Sequence, residues 1–487
     1  MHAVTRRRFV GRVAAVAGGL SATSLPSPAG QPATYDGTAL RGLRETLRGG
    51  LVVPDDASYD ADRRVFYWNP RTATRPLVIV RCGHEDDVKR AVEFARRHAL
   101  EIAVRSGGHS HLAWGGSNGL VIDLAPLRRI TIDSDRRLVH AQAGVLGGEV
   151  AVAAGRHGLV PVLGQCPGVG ATGVTLGGGL GWLSGLFGAC CDSLVSACVV
   201  SADGTLREAD DEHDPDLAWA LRGAGANFGI ATSFTARLYP LESVIGGDLH
   251  YHPRDARAVL RGFRDVMREA PDAFQATLNL TTGERGLFIS LCHAGAAEQA
   301  EPLLRSLRAL ARPTREDIRE QPYATLATRA AATAPVGMPP STFRAIEAVY
   351  RESVSDDMID IVVDRLNEAP PDAVMGLSHY MHGAVCRVDP AATAFPHRRA
   401  HAVHLRVACQ WSDPAESERR FAWTDAWREM CRPKAGESLY ANYQTYSTTD
   451  GARSIYGANH DRLAALKARH DPDNVFRRNA NVVPAEA

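Results

Sequence analysis

Two glycine-rich stretches carry the side chains best suited to chemistry. The first, Arg105-Ser106-Gly107-Gly108-His109-Ser110, follows directly on the apolar run Ile102-Ala103-Val104. The second, residues 164–181, reads GQCPGVGATGVTLGGGLG and holds one cysteine, Cys166. Glycines gathered in this way let backbone N–H groups close on a flat or anionic ligand, because no Cβ stands between them. A strand followed by two glycines, a hydroxyl and a histidine suits pyrophosphate binding, with the imidazole held at the edge of the site. The two loops thus offer two nucleophiles, an imidazole and a thiol, beside one cofactor. The plainer readings are a histidine hydrogen-bonded within its loop and an inert thiol.

Gly168, Gly170 and Gly173 spell G-x-G-x-x-G. A dinucleotide fingerprint needs a strand before these glycines and a helix after them. Here Pro167 stands where the strand should end, and Gly177, Gly178, Gly179 and Gly181 would fall inside the helix. Each costs about 1 kcal/mol there relative to alanine. The match is therefore read as incidental.

The flanking pattern shows how the loops are positioned. A helix-like opening at 40–47 precedes a buried strand at 76–80. Val88, Ala91, Val92 and Ala95 recur at helical spacing over 85–99. Strands follow at 102–104 and 120–124. This β-α-β start predicts an α/β or α+β domain. A small-residue helix is expected at 148–157. Strands at 194–201 and 205–208 flank Ala202-Asp203-Gly204, read as a hairpin with type I′ chemistry. The stretch RGAGANFGIATSF, from Arg222, is a further glycine-rich approach to a strand. From about 241 glycine thins. Helices are expected at 255–269, 297–311 and 356–368, with strands at 276–281, 286–292, 374–381 and 402–410.

Several of these motifs, in this order, resemble the berberine-bridge-enzyme-like branch of the vanillyl-alcohol-oxidase, or PCMH-type, FAD-linked oxidases. The resemblance rests on RSGGHS, GQCPGVGATGVTLGGGLG, GAGANFGI at 223–230, YANY at 440–443 and YGANHDRLAALKARHDPDNVF at 456–476. It implies an α+β fold: a two-part FAD-binding domain (40–240 and 436–487) around an inserted substrate domain (241–435), an antiparallel sheet backed by helices. It implies FAD bound bicovalently, His109 to the flavin 8α-methyl and Cys166 to flavin carbon 6. Arg105, Ser106, Gly107, Gly108, Ser110, Val169, Gly170, Gly173, Gly177, Gly178, Gly179, Gly181, Asn227, Gly229, Ile230 and Asn442 then become cofactor-binding positions.

The same resemblance makes Tyr443 the catalytic base. A free phenol has a pKa near 10 and needs a cationic or hydrogen-bonding neighbour to act so. Tyr440 and Asn442 would orient substrate and flavin. His379, Tyr380 and His382, in SHYMHGA, resemble a strand that faces the flavin. The family usually has glycine where His382 stands. In the family the chain resembles, the residue three after the cysteine lies near the flavin, and Val169 there looks like the oxygen-permissive type, where a leucine tends to mark dehydrogenases. No metal motif is found.

The 487 residues, with 45% hydrophobic and 23% charged content, have an ordinary soluble composition. Lys plus Arg and Asp plus Glu balance at 55 each, which announces no nucleic-acid face. The N-terminus is different. Thr5-Arg6-Arg7-Arg8-Phe9-Val10 looks like a twin-arginine export signal, followed by a modest apolar stretch too short and weakly apolar for a membrane anchor. Residues 1–33 are read as a signal peptide handled by the Tat machinery, which places the mature protein in the periplasm or outside the cell. That route carries folded proteins, often with cofactor installed. An odd count of nine cysteines leaves at least one without a disulfide partner.

The leading expectation is a secreted FAD-dependent oxidase taking a hydride from an alcohol or sugar hemiacetal, with O2 as acceptor and hydrogen peroxide as product. The alternatives are a dehydrogenase using a quinone or other carrier, and oxidative tailoring or cyclisation of a natural product. A flavin-bearing binding protein is a further rival.

Overall fold

Strand Val78–Arg81 and helix Glu85–Arg97 form much as the spacing of apolar residues predicts. The helix carries three acids in its first turn and two arginines in its last, which suits its dipole. Asp87 holds its start in place by accepting N–H bonds from Arg48, Gly49 and Gly83 at 2.8–2.9 Å. The computed structural model describes residues 37–283, 286–329, 342–430, 439–445 and 451–486. The expected export signal, residues 1–33, and Cys431 lie outside these. The chain divides into two units, Met1–Gly42 and Leu43–Ala487. Of the first only residues 37–42 are described, the start of helix Gly37–Thr46. All that follows concerns the second.

Three large sheets organise that unit, with a two-stranded pairing of Leu159–Val160 and Tyr239–Pro240 beside them. A four-stranded sheet runs Gly50–Val52, Val78–Arg81, Leu120–Asp123, Ile102–Arg105; its last three strands are parallel. The loop RSGGHS leaves the carboxyl end of the parallel strand Ile102–Arg105, where open α/β sheets collect their ligands. A five-stranded antiparallel sheet runs Ile130–Asp133, Leu138–Gln142, Ile230–Arg237, Leu194–Val200, Leu206–Ala209. Its 194–209 hairpin corrects one expectation. Only Gly204 has positive φ (82°), while Gly204 N–H donates to Ser201 O and Ser201 N–H to Thr205 O. A type I′ turn needs positive φ at both central residues, so this is a three-residue loop closed by a left-handed glycine.

The largest sheet has eight strands among the described residues, all pairings antiparallel. Its main path passes through Val244–Tyr251, Leu287–His293, Phe274–Thr281, Ala373–Ser378, Val403–Trp411 and Phe343–Arg351. Helices Ala256–Arg268, Ala297–Arg308 and Asp356–Asn367 cover one face, packing Phe263, Leu304 and Val362 onto Leu278, Ile289, Leu377 and Leu405. Strand alternation leaves Thr277, Asn279, Ser290, Arg406 and Gln410 on the other face, where they line a cavity. The strands Val244–Tyr251 and Phe343–Arg351 were not expected from the sequence.

The glycine loop is not loop throughout. Ala171–Leu176 form a short helix, with Gly170 before it and Gly177 ending it. The strand before it, Leu159–Val160, is only two residues long and ends well short of Gly168, in keeping with the rejection of a Rossmann fingerprint.

Candidate active site

The two glycine loops meet directly. A Cβ on Gly107 would lie 2.3 Å from the backbone nitrogen of Gly170, and one on Gly170 would lie 2.3 Å from Ser106 Oγ. Only glycine permits this approach. The contact draws both loops to one wall of a cavity of about 1330 Å³ between them and the polar face of the eight-stranded sheet. That is more than a single small ligand fills, and enough for a dinucleotide with substrate beside it.

His109 stacks on Phe66, ring centroids 4.0 Å apart and planes 16° off parallel, while the Arg344 guanidinium lies 4.3 Å from the same Phe66 ring. A side chain at Gly168 would meet the His109 imidazole at 3.5 Å, so the histidine sits against the cysteine's own loop. Burial lowers the His109 pKa to about 4, leaving the imidazole neutral with a lone pair available for bond formation. Burial pushes the Cys166 thiol up, opposed by the amides of Gly168 and Val169. His109 and Cys166 both line the cavity.

The residues of YANY border the same cavity. Tyr443 Oη lies 2.5 Å from His379 Nε2, and the Tyr443 ring stacks on His404 with centroids 3.6 Å apart. Burial raises the Tyr443 pKa above its ordinary value, with Arg406 opposing the shift. Burial also lowers His379 and His111 to about 3 and His404 well below its normal range. All three imidazoles are therefore neutral at neutral pH, and the Nδ1–H tautomer of His379 is the one that would accept the phenol O–H. Tyr440 is placed otherwise. Its hydroxyl accepts from the Gly179 N–H at 2.7 Å and from Asn442 Nδ2 at 2.9 Å, and Asn442 also donates to Val174 O at 3.0 Å. Tyr440 and Asn442 thus brace the glycine loop from behind while still bordering the cavity.

The cavity brings together Arg105 through Ser110, Cys166, Val169, Gly170, Gly173, Gly177, Gly229, Ile230, His379 and Tyr440 to Tyr443. Other expected positions fall elsewhere. Gly178, Gly179 and Gly181 lie off the cavity wall, and a side chain at Gly181 would run into Leu163 O. Asn227 is fully buried behind the site, donating to Ala480 O and accepting from Val482 N–H, so it ties the glycine stretch 223–230 to the chain's end. Arg105 pairs through Nη2 with Asp123 at 2.9 Å, which commits its guanidinium to the sheet rather than to a phosphate. Tyr380 packs against Phe263 in the core beneath the sheet. His382 is held between Phe274 O (2.8 Å) and Tyr380 O (3.0 Å). Neither Tyr380 nor His382 borders the cavity, because the strand ends at Ser378 and His379 turns the chain with φ 51°.

Sequence reasoning missed the polar sheet face. Thr277, Asn279, Arg406 and Gln410 line the cavity, and Arg406 donates to Asn279 Oδ1 at 3.0 Å. A signal was present: in HLRVACQ the residues His404, Arg406 and Gln410 alternate with Leu405, Val407 and Cys409.

The residues present fit an FAD-type ligand. Gln165 Nε2, Thr172 Oγ1 and His379 Nδ1 are buried at the cavity with no partner among the described residues, so a ligand's polar atoms would complete them. The glycine cradle leaves room where side chains would intrude. What fold and site define is a flavin-dependent oxidoreductase, and comparison with known proteins agrees. Residues 76–210 match the FAD binding domain model, and residues 439–483 match the model named berberine and berberine like. The (R)-6-hydroxynicotine oxidase of Paenarthrobacter nicotinovorans is 28% identical over 462 residues, spanning 90% of this chain and 97% of its own. An uncharacterized FAD-linked oxidoreductase of Bacillus subtilis is 29% identical over 446 residues, with the same two coverages. The crystal structure of 6-hydroxy-D-nicotine oxidase from Arthrobacter nicotinovorans superposes with a TM-score of 0.80 at 27% identity, covering 90% of this chain and 99% of that one. A xylooligosaccharide oxidase from Myceliophthora thermophila, at 23% identity and a TM-score of 0.80 over 92% of this chain and all of its own, shares the fold. The chain thus carries an FAD binding domain and a berberine-like segment, and over nine-tenths of its length it is similar to FAD-linked oxidoreductases.

Proposed function

We propose that this protein is an exported oxidase that holds FAD through His109 and Cys166 and oxidises an alcohol or sugar hemiacetal. FAD, when bound, would supply a two-electron acceptor, with O2 as the oxidant that regenerates it and hydrogen peroxide as product. The reading is carried by one observation: His109, Cys166 and Tyr443 border a single cavity whose far wall is a polar sheet face. A neutral His109 imidazole and the Cys166 sulfur are the nucleophiles that would join the flavin. Backbone groups of Gly107, Gly108, Ser110, Gly170, Gly173, Gly177, Gly229 and Ile230, which line the cavity, would cradle it. Thr277, Asn279 and Gln410 would bind the hydroxyls of a polar substrate, and Tyr443 would take the proton of the reacting hydroxyl. Two tethers free the protein from having to wrap its cofactor, which suits a bulky substrate in a wide cavity.

Segments 40–240 and 436–487 would serve the cofactor and 241–435 the substrate. The Arg6-Arg7-Arg8 leader supports export with cofactor in place. Among the described residues no helix is long and apolar enough to cross a membrane. Val169 on the cavity wall supports O2 as acceptor over a quinone or another carrier. A second reading, oxidation of a small natural product, is supported by the relative named for 6-hydroxynicotine.

Two measurements test the proposal. Intact mass after acid precipitation should show flavin nucleotide still attached. A screen of sugars and alcohols should give peroxide release with at least one. Colour lost wholly to the acid supernatant would overturn the tethers; anaerobic reduction by substrate followed by very slow reoxidation in air would overturn O2 as acceptor.

A further inference from the structure

The Tyr443–His379 contact has chemistry of its own. A buried, protonated phenol is no base: it can take a substrate proton only if it gives up its own. Its hydroxyl is 2.5 Å from His379 Nε2, and in the Nδ1–H tautomer the lone pair of that nitrogen faces the phenol. The His379 imidazole is almost fully buried, and its Nδ1 has no partner among the described residues. Its direction is set by the backbone. Strand Ala373–Ser378 stops, and His379 adopts φ 51°, a left-handed conformation that histidine tolerates better than most residues. The turn aims the ring at Tyr443 instead of continuing the strand.

We infer that Tyr443 and His379 act as one proton-accepting couple, with His379 the positioning residue that receives the proton Tyr443 releases. This rests on the proposed function for its substrate. In the step, the substrate O–H bond breaks and its proton passes to Tyr443 Oη. The Tyr443 O–H bond breaks and that proton passes to His379 Nε2, leaving an imidazolium. The substrate carbon loses its hydrogen with two electrons to the two-electron acceptor of the proposed function. Charge and atoms balance, and no phenolate accumulates.

The groups around the couple come from every side. His404 stacks on Tyr443 and lies 6.2 Å from His379, ring to ring. His111 approaches Tyr443 at 5.6 Å. Arg406, Tyr67, Tyr440, Cys166 and Cys190 also act on the Tyr443 charge. Arg406 is the cation among them. It favours phenolate character on Tyr443 and opposes a lasting imidazolium on His379. The proton is therefore held on His379 only for the transfer and returned to solvent afterwards.

Two experiments test the couple. In the first, substrate-driven flavin reduction is followed anaerobically from pH 5 to 10 in the wild type and in His379→Asn, which keeps a residue tolerant of the left-handed turn. The variant should retain its flavin spectrum and be slower at pH 7 by about 100-fold or more, the usual scale for general base work. Its rate should then climb with pH as hydroxide replaces the lost acceptor, a profile that a merely structural role would not produce. A wild-type rate and profile in H379N, with Y443F inactive, would overturn the couple and leave the proposed function standing. The second needs no turnover. With 15N-labelled histidine, Y443F should shift one imidazole Nε2 signal of the flavin-loaded protein, and H379N should delete that same signal. If the two variants pick out different signals, the couple is overturned whatever the substrate.

Discussion

Tyr440 and Gly179, 261 residues apart in sequence, are joined by a buried hydrogen bond of 2.7 Å from the glycine N–H to the phenol oxygen. The same oxygen accepts from Asn442. Gly179 cannot be replaced to compensate: its φ is 80°, and a Cβ would lie 2.3 Å from Cys190 Sγ. The C-terminal segment therefore fixes the glycine loop on which the cofactor is expected to rest. Tyr440→Phe keeps the ring packing with Phe395 and removes only the acceptor. Leaving the Gly179 N–H unpaired should cost about 1–3 kcal/mol. The variant is expected to melt earlier and to carry less flavin per chain, read from thermal unfolding and visible absorbance. Unchanged melting and loading would mean that the loop holds its shape without this strut.

The tethers make a second prediction. His109 and Cys166 lie on separate loops that touch at Gly107 and Gly170, so each bond could form without the other. H109A and C166A should each keep flavin attached through acid precipitation, and the double variant should release it. Each single variant should also be reduced more slowly by substrate, since attachment generally raises flavin potential. Free flavin from either single variant would show that one residue carries the whole linkage.

Sequence and structure agree best where periodicity is regular. Helices 256–268 and 356–367 and strands 274–281 and 403–411 fall within a few residues of their expected positions, because their apolar stripes repeat cleanly. The strand Phe343–Arg351 stayed hidden because Arg344, Glu347 and Arg351 interrupt it. The structure accounts for Glu347: its carboxylate is buried against Arg428 and accepts from Thr445 Oγ1 at 2.9 Å. A strand pattern cannot announce partners eighty and more residues away. Within the site, the loops of His109 and Cys166 were legible because glycine density is a local signal. The direction of His379 was not, since a single left-handed residue reverses the parity on which strand reasoning depends. Tyr380 and His382 were expected at the site from the resemblance of SHYMHGA to a strand facing the flavin, and the strand stops at Ser378, before either.

The closing motif makes a stability prediction. Lys467 and Asp471 are both fully buried, 2.7 Å apart. The ammonium also donates to Asn227 O and Phe476 O, while Asp471 accepts the N–H groups of Val475 and Phe476. Every polar atom there has a use, and the cluster docks the terminal segment behind the 223–230 loop. Lys467→Met strands a buried carboxylate and should destabilise by about 3–5 kcal/mol, whereas pairing it with Asp471→Leu should recover part of the loss. Urea unfolding of the single and double variants measures both. A K467M protein as stable as the wild type would show that Asp471 is satisfied by its amides alone.

Buried neutral histidines set the response to acid. Burial holds His111, His379 and His397 at about 3, against an ordinary value of 6.5, and holds His404 well below its ordinary value too. Between those values the unfolded chain binds protons that the native chain refuses. Stability is therefore complete above pH 6.5 and declines as pH falls toward 3, each such histidine adding a slope of about 1.4 kcal/mol per pH unit. Several together would exhaust an ordinary stability of about 5–15 kcal/mol within two or three units. The protein should hold its melting temperature from pH 8 to 7 and lose it steeply from pH 6 to 4. His397 offers the cleanest check, as it packs against Phe395 and Tyr440 beside the brace and away from the proposed proton couple. His397→Gln removes one titrating group and should flatten the acid limb by about one proton. A melting temperature that stays level down to pH 5 would mean that these imidazoles take up protons in the folded protein and are less shielded than their packing implies.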